Sequence, residues 1–98
     1  MLRREFTILP VVINGIWITK VVVDPHYEKH RDITDDVVLD LVRLLDGLEQ
    51  EADHVSPPYE YYATLLDCRG KTYRLVWLLE AHEIYIGIIT VYRDRRKK

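Results

Sequence analysis

The stretch Lys71-Thr72-Tyr73-Arg74-Leu75-Val76-Trp77-Leu78-Leu79-Glu80 decides how the rest of this chain is read. Its side chains alternate as a strand's do, with Tyr73, Leu75, Trp77 and Leu79 on one face and Arg74, Val76 and Leu78 on the other. Both faces are apolar except for one guanidinium. Such a strand lies in the middle of a sheet, covered on both sides, or turns its second face to a partner. The flanking connections, Asp67-Cys68-Arg69-Gly70 and Ala81-His82-Glu83, are short. Links of that length require antiparallel neighbours, which the sequence supplies at Glu60–Leu66 and Ile84–Arg93.

Working outward, Phe6–Ile13 and Ile16–Val23 are β-branched and apolar around Asn14-Gly15, a dipeptide that tolerates positive φ at both turn positions and so predicts a hairpin. Pro10 removes a ladder donor, which makes the first strand an edge or breaks it there. Asp24-Pro25 reads as a helix start, with a short helix over Pro25–Arg31. A second start comes at Asp32-Ile33-Thr34, with Asp35 and Asp36 favoured in a first turn by the helix dipole. Val37, Val38, Leu41, Leu44, Leu45 and Leu48 recur at helical spacing, and Gly47 suits the left-handed stop, giving a helix from about Asp35 to Asp46. Glu49–Pro58 is polar and closes on Ser56-Pro57-Pro58, which reads as a loop. The expected fold class is therefore α+β: an N-terminal β-hairpin, a short helix and a main helix packed on a curved antiparallel sheet, in the order ββ-α-α-βββ.

The 98 residues make one domain, 1–98, with 48% hydrophobic and 31% charged residues, the composition of a folded soluble protein and not a disordered one. No apolar run approaches the roughly 20 residues that span a bilayer, so no membrane association is expected. Met1-Leu2-Arg3-Arg4-Glu5 is basic, but Pro10, Asn14 and Gly15 interrupt the apolar residues beyond it, so this start reads as structure and not as a signal peptide. Cys68 is the sole cysteine, which forbids an internal disulfide and points to a reducing cytoplasm; its neighbours place it in an exposed turn. The net charge of −2 conceals an asymmetry. Asp32, Asp35, Asp36, Asp40, Asp46, Glu49, Glu51 and Asp53 make the middle acidic, whereas the C-terminal strands and the tail at 93–98, expected to be flexible, are basic. Only one edge of such a molecule attracts phosphate, and patches of opposite sign equally suit a protein partner or self-association.

Two groups of residues carry chemistry. His26 and His30 lie four apart on one helix face, a spacing that suits a metal or a base beside a second imidazole, but no third ligand stands at a recognisable spacing. No metal or cofactor is therefore expected. The pair otherwise marks a solvent-facing helix end, or one imidazole faces Arg74 as a general acid or base. Arg74 forms a structural ion pair, with Glu60 or Glu80 as partner, or clamps a phosphate through its planar fork. Tyr92 and Arg93, on the adjacent strand, suit base stacking or proton donation and oxyanion stabilisation. The tail Arg95-Arg96-Lys97-Lys98 is a solvated end or a non-specific, salt-dependent contact to nucleic acid. There is no Gly-rich phosphate loop, nucleophile motif or zinc-finger spacing.

Taken together, Asp24-Pro25-His26-Tyr27-Glu28-Lys29-His30, Ile33-Thr34-Asp35-Asp36-Val37-Val38, Tyr73-Arg74-Leu75 and Ile88-Ile89-Thr90-Val91-Tyr92-Arg93 resemble small proteins of the RelE/ParE toxin superfamily, with the closer likeness to its BrnT-like and uncharacterised branches. The resemblance covers about residues 20–94 and leaves the N-terminal hairpin outside the usual pattern. It implies a RelE-like fold and a toxin of a toxin–antitoxin pair. In RNase members of that superfamily a 2′-hydroxyl attacks the adjacent phosphate of ribosome-bound mRNA, without metal; ParE-like members inhibit gyrase instead. Carried over, Arg74, Tyr92, Arg93 and His30 become candidate catalytic residues, and Lys29, Arg95, Arg96, Lys97 and Lys98 candidate nucleic-acid contacts. The implied partners are a cognate antitoxin and mRNA or the ribosome. The other reading, a non-catalytic protein-interaction module of the same fold and a candidate homodimer, is favoured by the acidic stretch Asp32–Asp53.

Overall fold

The hairpin at Asn14-Gly15 starts the fold. A computed structural model describes residues 4–23 and 33–95. Strands β1 (Arg4–Ile13) and β2 (Ile16–Val23) pair antiparallel around a turn in which Asn14 has φ 51° and Gly15 φ 76°. Both values lie in the left-handed region that a two-residue hairpin turn demands. Pro10 falls on an edge strand, within the register shift between Thr7 and Val11. The carbonyls of Leu9 and Pro10 in that bulge accept from the Arg43 guanidinium at 2.9 and 3.4 Å.

Helix α1 (Asp35–Leu44) is capped by Thr34, whose hydroxyl accepts from the Val37 N–H at 3.3 Å, and carries Asp35 and Asp36 in its first turn. It buries Val37, Val38, Leu41 and Val42, while Leu44, expected in the apolar stripe, is 49% exposed. The helix ends two residues before Asp46 because the chain there is claimed by the outer edge of β1. The Val12 N–H donates to Asp46 Oδ1 at 2.8 Å, the Gly47 N–H donates to the Val12 carbonyl at 2.7 Å, and the Asn14 N–H donates to the Leu48 carbonyl at 2.8 Å. These bonds satisfy part of an edge that would otherwise present bare backbone groups.

The C-terminal half forms β3 (His54–Ser56), β4 (Tyr59–Cys68), β5 (Lys71–Glu80) and β6 (Tyr85–Arg93). The sheet order is β1-β2-β6-β5-β4-β3, which makes β5 a central strand, as its two-sided apolarity requires. Tyr73, Leu75, Trp77 and Leu79 are buried in one hydrophobic cluster with the helix, Ile18, Val21, Val23, Ile86 and Ile88. Cys68 ends β4, half-buried against that cluster, and so is not a turn residue; the turn is Arg69-Gly70, with both φ values positive.

The expected architecture is corrected in one main respect. The molecule is a six-stranded mixed sheet with one helix among the described residues, not two helices on an antiparallel RelE-like sheet. The difference arises at β2 and β6, which pair parallel through Lys20↔Tyr85, Val21↔Ile86, Val22↔Gly87 and Val23↔Ile88. A continuous apolar run such as Val21-Val22-Val23 is what a parallel strand buried on both faces requires. Strand β3, expected as loop, is the second difference: His54, Val55 and Ser56 pair with Tyr61, Glu60 and Tyr59. The helix expected over Pro25–Arg31 lies outside the described residues.

Candidate functional site: an apolar cleft at the end of the sheet

Among the residues singled out by sequence, Arg74 and Tyr92 are brought together. They are cross-strand partners of β5 and β6 on the face away from α1, where Tyr92 is 38% exposed. Arg74 does not pair with Glu60 or Glu80, which the register puts at the other end of the strand, about 20 Å away at ~3.3 Å per residue. Its Nη2 stands 3.7 Å from Asp94 Oδ2 instead. Alternation separates Arg93 from this pair: its partner is Tyr73, on the helix-facing side. Arg95 lies just beyond the end of β6, at the same end of the sheet. His30 and Lys29, like Arg96, Lys97 and Lys98, lie outside the described residues. Among the described residues no three His, Cys, Asp or Glu side chains converge in a way that could hold a metal ion. No helix among them is long and apolar enough to cross a membrane.

A second constellation, invisible in the sequence, runs across the helix-facing side. Trp77 Nε1 donates to Thr64 Oγ1 at 2.9 Å, and that hydroxyl donates to Gln50 Oε1 at 2.9 Å. Gln50 Nε2 donates to the Ala63 carbonyl at 3.1 Å, and its backbone N–H donates to Asn14 Oδ1 at 2.8 Å. Asn14 Nδ2 donates to the Tyr62 hydroxyl at 3.0 Å, which donates to Glu60 Oε1 at 2.9 Å. The rings of Tyr62 and Trp77 stack with centroids 4.1 Å apart and planes 9° from parallel. This network ties the hairpin turn, the segment after the helix and β4 into one unit, because each member satisfies a polar group that would be costly unpaired. Burial first, then the Glu60 hydrogen bond and charge, push the Tyr62 phenol up to about 12, with Asn14 opposing.

Glu60, the exposed terminus of this network, opens onto a cleft of about 720 Å³ at one end of the sheet. Three turns meet there: the start of β2 after Asn14-Gly15, the β3–β4 turn at Pro57-Pro58, and the β5–β6 turn at Ala81–Ile84. Of the eight large apolar side chains exposed among the described residues, four line this cleft: Ile16 (38%), Trp17 (65%), Val55 (55%) and Ile84 (54%). Scattered single apolar side chains are ordinary on a surface, but their concentration in one concavity makes this cleft the candidate site. Glu60, Glu80, Glu83 and His82 are its ionisable members, and no lysine or arginine among the described residues contributes to it. Glu80, like Glu60, accepts from a tyrosine hydroxyl, that of Tyr85. The sequence did carry a signal for this site. Trp17, Val55 and Ile84 each sit within a few residues of a turn, where solvent exposure is the rule. An apolar side chain at three turns of the same sheet end requires the strand order to be seen as convergence.

No family model, curated protein or solved structure matches the chain. The likeness to the toxin superfamily therefore stands on its short motifs alone.

Proposed function

We propose that this chain is a non-catalytic protein-interaction module that engages its partner through the cleft at the end of the sheet. The observation that carries this reading is the convergence of Ile16, Trp17, Val55 and Ile84 on one concavity, while Tyr73, Leu75, Trp77 and Leu79 of β5 are buried. A chain that buries Trp77 completely and leaves Trp17 65% exposed keeps the second for another molecule. The lone cysteine, a free and half-buried thiol, supports a reducing cytoplasm as the place where it works.

The second reading, a toxin-like endoribonuclease with an antitoxin covering its sheet, draws on one observation: Arg74 and Tyr92 are side by side on the face away from the helix. Against it stand the ion pair of Arg74 with Asp94, which offsets the charge a phosphate needs, and the placement of Arg93 on the other side of the sheet. One experiment separates the two. Purified protein is incubated with single-stranded RNA, and its induction is scored for growth arrest, beside Arg74→Ala and Tyr92→Phe variants. The module reading expects intact RNA and no arrest. RNA cleavage lost in both variants, with their folds retained, would replace it with the nuclease.

A further inference from the structure

Resting on the interaction reading, the chemistry of the cleft also specifies its partner. We infer that the cleft receives a cationic–apolar segment of another protein: an aliphatic or aromatic anchor that enters between Trp17, Val55 and Ile84, flanked by lysines or arginines that meet Glu60, Glu80 and Glu83. Charge complementarity carries the assignment. Among the described residues the lining holds three carboxylates and the His82 imidazole but no lysine or arginine, and Lys20 stands with Glu80 and Glu83 only in the adjoining concavity, so the cleft's charge disfavours an acidic segment and favours a cationic one. Two of the three carboxylates are held in place before any partner arrives, Glu60 by the Tyr62 hydroxyl at 2.9 Å and Glu80 by the Tyr85 hydroxyl. A carboxylate has lone pairs on both oxygens, so one tyrosine donor fixes its orientation and leaves acceptor capacity for an incoming ammonium or guanidinium. Less side-chain freedom is then lost on binding. Trp17 adds an indole face beside those carboxylates, the surface on which a cation is further stabilised.

The end of β6 at Arg93 lies nine residues of strand, about 30 Å, from the cleft.

The test is a fluorescence anisotropy titration of the whole protein with three dye-labelled hexapeptides. Each has two central leucines, flanked on both sides by two lysines, two serines or two glutamates. The lysine peptide binds with a dissociation constant on the order of 10–100 μM and at least about tenfold tighter than the serine peptide, and its affinity falls as salt rises. Glu60→Gln, Glu80→Gln and Glu83→Gln combined remove that preference; the amides keep the tyrosine hydrogen bonds, so a lost preference reports charge and not a lost fold. Trp17→Ala weakens both peptides. Equal binding of the lysine and serine peptides overturns the charge assignment and leaves the interaction module standing. Failure of both up to about 1 mM, with Trp17→Ala inert, overturns the module as well. Displacement of the probe by a peptide of residues 91–98, with concentration-dependent dimerisation in sedimentation, overturns the separate partner in favour of a second copy of this chain.

Discussion

The chain has two tryptophans, and they occupy opposite ends of its physics. Trp77 is fully buried, stacked on Tyr62, and its indole N–H is bonded to Thr64. Trp17 is 65% exposed at the rim of a cleft. Around Trp77 every apolar face meets another apolar face and every polar atom of the network meets a donor or acceptor. Around Trp17 the apolar side chains converge on open space under three carboxylates. The first region accounts for stability, and the second is the surface we propose for a partner. The same residue type thus marks core or site according to what surrounds it.

Substitutions at the two positions sharpen that contrast most. Trp77→Ala removes the largest buried side chain and is expected to cost about 3–5 kcal/mol in urea denaturation, enough to unfold a marginal domain. Trp17→Ala is expected to change stability by no more than about 0.5 kcal/mol in the same assay. Equal costs would erase the distinction. Gln50→Ala tests whether the polar network belongs to the stable region. It strands the Thr64 hydroxyl, the Ala63 carbonyl and their neighbours, for an expected loss of about 1–3 kcal/mol.

A smaller effect probes the packing of the opposite sheet face. At Gly87 an added Cβ would stand 2.9 Å from Leu78 Cδ1, so Gly87→Ala forces that leucine aside. The expected cost is about 1 kcal/mol, relieved when Leu78→Ala is combined with it. A double variant no better than the sum of the singles would show that the contact does not limit the site.

The last effect is one of pH. The Tyr62 phenol is pushed from its ordinary 10.0 up to about 12, so the folded state holds this proton more tightly than the unfolded chain. Its contribution is complete below pH ~10 and is lost as pH rises through about 12. Stability of the native protein should therefore fall more steeply across that window than that of Tyr62→Phe. Parallel curves would place the proton elsewhere in the network.

Much of the stable region was legible in the chain itself. The hairpin could be read from Asn14-Gly15, the edge strand from Pro10, and the central strand from apolar residues on both faces of Lys71–Glu80. Thr34 and the acidic first turn marked where the helix begins. The hidden features depended on long-range pairing. The parallel match of β2 with β6 has no local signal beyond the apolar run Val21-Val22-Val23, and short antiparallel turns elsewhere made an all-antiparallel sheet the natural expectation. The helix end was missed because Asp46 and Gly47 bond to Val12, a contact 34 residues away along the chain for Asp46. Arg74 beside Tyr92 was legible, since two strands joined by a short turn fix which residues face each other. Their opposite number, the cleft, was not, because Ile16, Val55 and Ile84 become neighbours only once the sheet order is known.

The two indole N–H groups allow the central claim to be read in a single experiment. In a ¹H–¹⁵N spectrum the whole protein is titrated with the lysine-flanked leucine peptide, and the indole resonances of Trp17 and Trp77 are followed together. The Trp17 signal is predicted to move saturably while the Trp77 signal, held by Thr64, stays in place. Movement of Trp77 alone, or of neither at saturating peptide, would contradict a binding cleft set apart from the core.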